Sequence, residues 1–238
     1  MRIWGVHRMA TVDSPDIVNL AKEYETATAE QVLAEAVKRV PNLALACSFG
    51  AEDMVLLDIL MKISPETKVF YLDTDVLFDE TYRLIEESKA KYGIPGLIRV
   101  SPKLTLEEQA AEYGVELWAS RPDACCNIRK VQPLTEALSR LDGWITGIRR
   151  HQTAFRANAQ AFEQDHKFGL IKVNPLIRWT EEDVWTYMHE HNVPYNPLHD
   201  QGYPSIGCIH CTRAVKPGED RRSGRWANFT KTECGLHK

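Results

Sequence analysis

No stretch free of charged residues exceeds 12 residues in this chain, the length of segment 40–51. A membrane-spanning helix needs about 20 apolar residues, so no such helix is expected. The opening MRIWGVHRMATVDSPD lacks an apolar run followed by small residues, and no secretory signal is read there. The expected location is therefore cytoplasmic, where structural disulfides are rare, and the six cysteines need another explanation. A basic surplus is missing as well. The 29 Lys and Arg face 33 Asp and Glu, for a net charge of −4, which argues against a nucleic-acid-coating protein. Neither the G-x-x-x-x-G-K-[ST] phosphate loop nor the dinucleotide pattern G-x-G-x-x-G occurs, and there is no internal repeat or low-complexity tract.

What is present is ordinary globular composition, 44% apolar and 26% charged over 238 residues. That length is enough for one large domain or two small ones. Thr28-Ala-Glu-Gln31 reads as a capping box, followed by Val32, Leu33, Ala36, Val37 and Val40 at helical spacing and stopped by Pro41. Short apolar runs at 43–48, 68–72, 97–100, 144–148 and 170–173 read as strands. Helical patterns at 52–62, 79–92, 104–113, 128–141 and 180–191 alternate with them. Such alternation implies right-handed crossovers and a parallel twisted sheet flanked by helices. Ligands in that architecture sit at the carboxyl ends of strands, which singles out the turns after Ser48, Leu72 and Ile148. Beyond about Asn192, prolines and glycines give the chain an irregular character. Residues 212–238 hold seven Lys and Arg against three Asp and Glu. A basic tail of that kind would bind an anion, dock a partner or simply be solvated.

The chemistry-bearing residues fall in these places. Ala46-Cys-Ser-Phe-Gly-Ala-Glu-Asp53 is a strand-to-helix turn in which Ser48, Gly50 and Asp53 would let backbone N–H groups approach an anion. Cys47, at the strand end, reads as a small buried hydrophobe. Tyr71-Leu-Asp-Thr-Asp75, with Leu72 and Thr74, offers groups that would bond a ribose or cap the next helix. Cys125-Cys126 and Cys208-Ile-His-Cys211, 82 residues further on, form the strongest local signal. Neighbouring thiolates rarely close one tetrahedral zinc site, whereas a [4Fe–4S] cluster takes one thiolate at each corner. Zinc and a labile disulfide remain as alternatives, with His210 outside the ligand set. Arg129, Lys130 and Arg213 flank these cysteines, either as stabilising cations or as plain surface charge. Three arginines just past a strand, Arg149, Arg150 and Arg156, have the planar fork that suits phosphate or sulfate. In the tail, Cys234 stands alone near Arg222, Arg225, Lys231 and His237, cations that would favour its thiolate.

Together these motifs resemble the assimilatory adenylyl-sulfate (APS) reductases, close relatives of the phosphoadenylyl-sulfate (PAPS) reductases. The elements that carry the resemblance are Ser48-Phe-Gly-Ala-Glu-Asp53, Leu72-Asp-Thr74, Cys125-Cys-Asn-Ile-Arg-Lys130, Gly147-Ile-Arg-Arg150, Cys208-Ile-His-Cys211 and Glu233-Cys-Gly-Leu-His237. The resemblance implies an ATP-pyrophosphatase-like α/β fold (adenine nucleotide alpha hydrolase-like) and a [4Fe–4S] cluster on Cys125, Cys126, Cys208 and Cys211. It implies that Ser48, Gly50, Asp53, Leu72 and Thr74 lie along the nucleotide, that Lys130, Arg156, Arg222 and Arg225 contact the phosphosulfate, with His237 beside the substrate, and that Cys234 is the nucleophile. The turn at 48–53 departs from the Ser-Gly-Gly-x-Asp-Ser type of true pyrophosphatases, in line with binding a sulfated nucleotide without cleaving ATP. The implied reaction is thioredoxin-dependent reduction of APS to sulfite and AMP through a cysteine S-sulfonate, with PAPS or dual use as the alternative. On this reading residues 1–27 are an N-terminal segment, 28–211 the nucleotide- and cluster-binding domain, and 212–238 a mobile tail. Oligomeric state is left open, a homo-oligomer included. Two other readings are an ATP-dependent adenylating or thiolating enzyme, which would release pyrophosphate, and a non-enzymatic metal sensor, which would not need Cys234.

Overall fold

Thr28 and Thr180 act as the capping-box pattern requires. The Thr28 hydroxyl accepts from Gln31 N at 3.3 Å while the Gln31 carboxamide accepts from Thr28 N at 2.9 Å. The same exchange links Thr180 and Asp183. The computed structural model describes residues 15–94, 96–227, 229, 231 and 235. Its helices are α1 (Pro15–Glu23), α2 (Ala29–Arg39), α3 (Ala51–Ile63), α4 (Asp79–Tyr92), α5 (Leu106–Tyr113), α6 (Leu117–Ser120), α7 (Pro122–Cys126), α8 (Gln132–Leu138) and α9 (Glu181–Glu190). Among the described residues, no helix is long and apolar enough to cross a membrane.

Six strands form one sheet in the order β3-β2-β1-β4-β6-β5. They are β1 (Leu43–Ala46), β2 (Lys68–Leu72), β3 (Ile98–Val100), β4 (Gly143–Ile145), β5 (Phe162–Asp165) and β6 (Leu170–Val173). β1 lies at the centre, where Ala44 is in register with Lys68 on one side and Trp144 on the other. The period-2 rule of strands divides the core between two faces. Leu43, Leu45, Val69, Tyr71 and Ile145 pack on one face, in the larger core with α2, α3, α4 and α9. Ala44, Phe70 and Trp144 point the other way, onto Leu134 and Leu138 of α8.

Three departures from the sequence expectation have physical reasons. The sheet is parallel except at one edge, where β5 runs antiparallel to β6 with Asp165 opposite Leu170. The strand expected over 43–48 ends at Ala46, because Ser48 N–H turns away to the Asp53 carboxylate at 2.6 Å. The helix expected over 128–141 opens instead with a π-helix, Asn127–Val131, before α8. Pro133 explains the wider turn, since it has no N–H to give to the carbonyl four residues earlier. From Asn192 onward the described residues form 3-10 turns at Pro197–Gln201 and Ile209–Cys211, and an isolated bridge pairs Thr212 with Arg225.

Candidate active site and cysteine cluster

The strand order reverses between β1 and β4, and the crevice at such a switch point is where open α/β sheets bind ligands. A cavity of about 490 Å³ opens there, within the range of nucleotide-sized pockets. Ser48, Gly50, Asp53, Leu72, Thr74, Lys130, Arg156, Arg222 and Arg225 all line it. Nine of the residues read from the sequence as substrate-binding are thus brought together from five separate stretches of chain. Cys234 and His237 lie outside the described residues.

The turn from β1 into α3 is held by its own side chains. Asp53 Oδ2 accepts from both Ser48 N and Ser48 Oγ at 2.6 Å. Phe49 takes a left-handed φ of 59°, and Gly50 starts α3 with no side chain capping its first turn. Burial pushes the Asp53 carboxyl up to about 6, against the hydrogen bonds from Ser48 and the attraction of Arg156. Gly147 is required opposite it, because a Cβ there would fall 2.3 Å from Asp53 Oδ1.

The acidic pair in the second turn is used internally. Asp73, almost fully buried, accepts from Tyr82 Oη at 2.8 Å and pairs with Arg99 at 2.7 Å. Asp75 pairs with Arg99 and with Arg129. Tyr71, Leu72 and Thr74 are the residues of this turn that line the cavity.

The arginines expected as a trio separate. Arg149 lines the cavity but is bound to Glu52 at 2.8 Å, and Arg150 pairs with Glu25 at 2.8 Å, away from the cavity lining. Arg156 remains on the wall and donates to Gln152. Lys130, Arg156, Arg222 and Arg225, the four that the family resemblance named, all line the cavity, with Arg225 fixed on Ser205 Oγ and Ile206 O at 3.2 Å.

Beside this cavity lies a smaller one lined by Cys125, Cys126, Cys208 and Cys211. The first three are buried. Burial, reinforced by the other three thiols, pushes Cys125 up to about 11, and burial with Cys208 and Cys126 does the same for Cys211. Such mutual repulsion means that four thiolates in this space need a cationic centre. Cys208 behaves differently. Burial opposes its ionisation, yet Lys130, the Thr74 hydroxyl 3.3 Å away and Arg225 bring it below the ordinary thiol value.

The donor set fits an iron–sulfur cluster: four soft sulfur ligands, with the Trp226 indole N–H buried and unpartnered on the same cavity wall. Among the described residues, no three His, Cys, Asp or Glu side chains are arranged to hold a single metal ion. His210 stacks on Trp118 with ring centroids 4.0 Å apart, which accounts for it without a ligand role. Cys47 sits in the main core, its pKa raised well above the ordinary thiol value by burial.

Two of the flanking cations, Arg129 and Arg213, are engaged by other partners. Arg129, 2% exposed, donates to Thr74 O at 2.7 Å and to Gln109 Oε1 at 3.2 Å as well as pairing with Asp75. It bolts the helix carrying the cysteine pair to the 72–75 turn. Arg213 is half exposed and pairs with Glu219 at 2.9 Å. Sequence reasoning missed Glu52, Gln152, His199 and Trp226 as cavity-lining residues; Glu52, next to Asp53, and Trp226, next to Arg225, had neighbours that pointed to the site.

The family model for the phosphoadenosine phosphosulfate reductase domain matches residues 42–214. The chain belongs to this family. Among its relatives, the adenosine 5'-phosphosulfate reductase of Shouchella clausii (strain KSM-K16) is 55% identical over 196 residues, 82% of this chain and 81% of the relative. The protein of the same name from Bacillus cereus (strain AH187) is 50% identical over 221 residues, 92% and 94% of the two chains. Among solved structures, the phosphate complex of the phosphoadenylyl-sulfate reductase from Candida auris is similar with a TM-score of 0.77 at 32% identity. That likeness covers 87% of this chain and all of the other. The Candida glabrata FMN adenylyltransferase in complex with FMN and an ATP analogue shares the fold alone, with a TM-score of 0.56 at 19% identity over 89% and 74% of the chains. The fold is the ATP-pyrophosphatase-like α/β fold of this family.

Proposed function

We propose that this protein is an APS reductase. It would take two electrons from a thioredoxin-type dithiol and convert APS to sulfite and AMP in assimilatory sulfate reduction, in the cytoplasm. The observation that carries the reading is the convergence of four cations, Lys130, Arg156, Arg222 and Arg225, on a strand-end cavity that shares Lys130 and Trp226 with a four-thiol pocket. Its relatives at about half identity over most of both chains bear the name of that enzyme.

In this mechanism the adenosine lies along Ser48, Gly50, Asp53, Leu72 and Thr74, and the phosphosulfate faces the four cations. The Cys234 thiolate attacks the sulfate sulfur; the S–O bond to the phosphate breaks and AMP leaves with the electron pair. Lys130 and the arginines neutralise the charge gathering on the departing phosphate oxygen. Cys234 then carries an S-sulfonate. A thioredoxin-type thiolate attacks the Cys234 sulfur and expels sulfite, and the second thiol of the pair resolves the mixed disulfide. Cys125, Cys126, Cys208 and Cys211 would hold a [4Fe–4S] cluster, which supplies a fixed charge beside the sulfate end. On this reading residues 28–211 form the nucleotide- and cluster-binding unit, and 212–238 a tail that closes for the first step and opens for the second, with residues 1–27 preceding both.

Labelling separates this from the alternatives. Iron-replete, anaerobically purified protein is incubated with 35S-APS in the absence of reductant. Label trapped on the wild type and absent from Cys234→Ser is the expected result, and an unlabelled wild type overturns the proposal. A parallel 35S-PAPS arm reads substrate preference, and pyrophosphate release from ATP would favour the adenylating reading.

A further inference from the structure

A histidine on the cavity wall has no part in the mechanism above. His199 lines the cavity, and both of its ring nitrogens are buried without a hydrogen bond of good geometry, a pull from the Tyr203 backbone aside. Buried polar atoms in that condition are uncommon and call for an explanation.

The ring is held rigidly. It sits in the 3-10 turn Pro197–Gln201, which Asn196 caps by accepting from Leu198 N at 3.0 Å. Asn196 is itself 1% exposed and donates to Thr81 Oγ1 at 3.0 Å. His199 N donates to Asn196 O at 3.0 Å, and its carbonyl accepts from Gly202 N. The Trp185 ring meets the imidazole edge-on, with centroids 5.3 Å apart. A side chain fixed in this way cannot readily turn elsewhere for a partner.

We propose that His199 contacts the substrate and hydrogen-bonds the ribose hydroxyls of the bound nucleotide. The inference rests on the reading of this cavity as the APS site. The lining supports ribose over the other parts of the nucleotide. Phe70, Leu72, Leu134 and Trp144 make an apolar surface suited to a purine face, and Lys130, Arg156, Arg222 and Arg225 answer the phosphosulfate. The wall around His199 is polar without surplus positive charge: Glu52 is tied to Arg149, and Glu181 to Arg221. Burial lowers the imidazole pKa, against the pull of Glu52 and the Tyr203 backbone, which keeps the ring neutral. A neutral imidazole has one donor and one acceptor, the complement of a hydroxyl.

The test uses AMP, 2'-deoxy-AMP and 3'-deoxy-AMP as calorimetric ligands of the cluster-loaded protein, wild type against His199→Ala. The expected result is AMP binding weakened by roughly tenfold in the variant, with little or no loss for the analogue that lacks the contacted hydroxyl. His199→Gln, which keeps a donor and an acceptor, should recover part of the affinity and serves if the alanine variant fails to fold. Equal weakening for AMP and both analogues, or no weakening for any, overturns the role of His199 while leaving the nucleotide site standing. Failure of the wild type to bind AMP overturns the reading of the cavity and this inference with it.

Discussion

Replacing Gly147 by alanine tests how tightly the first nucleotide turn is built. The added methyl would stand 2.3 Å from Asp53 Oδ1, 3.0 Å from Glu52 Cβ and 3.3 Å from Asp53 N. Ordinary carbon contacts begin near 3.5 Å, so the Asp53 carboxylate has to retreat by about 1 Å. Retreat is costly, because Oδ2 of the same carboxylate holds Ser48 N and Oγ at 2.6 Å. Backbone relief is barred by the nearby Asp53 N and by Glu52, which is clamped by Arg149 at 2.8 Å. Overpacking costs about 1–3 kcal/mol and one weakened bond to a charged acceptor about 1.5–3, so Gly147→Ala should lose about 2.5–6 kcal/mol of stability. The assay is urea unfolding, with KM for APS measured alongside and expected to rise as the 48–53 turn shifts. The decisive control is a double-mutant cycle with Asp53→Ala, which removes the atom that is struck. The two losses should then fall clearly short of additive. Unchanged unfolding and KM in Gly147→Ala, or full additivity in the cycle, would refute the reasoning.

Asp53 also makes a pH prediction. Its folded-state value of about 6 lies above the ordinary 3.8, so the folded protein holds this proton more tightly than the unfolded chain. The resulting stability is complete below about pH 3.8 and is lost as pH rises through 6. From pH 4 to 7 the wild type should therefore lose up to about 3 kcal/mol relative to Asp53→Asn in denaturant titrations; parallel curves would contradict it. Arg129→Met leaves Thr74 O and Asp75 without their buried donor. A stability loss of about 3 kcal/mol is expected from unfolding curves, whereas Arg213→Met at an exposed pair should cost under about 1. Iron removal is the last test. Cys125→Ser and Cys208→Ser should lose bound iron and the visible absorption of the purified protein, while Cys47→Ser keeps both, since Cys47 belongs to the core.

Where local signals govern, the sequence was a sufficient guide to the fold. The capping boxes at Thr28 and Thr180 start helices in the expected places. Gly93, at φ 56°, ends α4 where a left-handed residue is needed. β5 escaped notice because Phe162-Glu-Gln-Asp165 has few of the marks of a strand. Its extended state comes from pairing with β6 on the open edge, a tertiary effect that overrides propensity. The π-helix after Cys126 was equally hidden, although Pro133 marked where a regular helix would fail.

For the site, residue type was legible but partnership was not. Three arginines near one strand end looked alike in sequence, and what separates them lies far along the chain. Glu52 claims Arg149 from 97 residues away, and Glu25 claims Arg150 from 125. The resemblance singled out Arg156 with Lys130, Arg222 and Arg225, but the physical reason for choosing it over Arg149 and Arg150 is visible only once those carboxylates are placed. The same logic divides the charges around the thiols. Arg129 and Lys130 are neighbours in a π-turn, yet one is spent on the Thr74 carbonyl while the other faces both cavities. A cation that faces both cavities lies within reach of the thiols and of an incoming anion alike. Thr74 reinforces the link, its hydroxyl on Cys208 and its carbonyl on Arg129. The 72–75 turn and the cysteine cluster are therefore mechanically one unit, and a change at either is expected to be felt at the other.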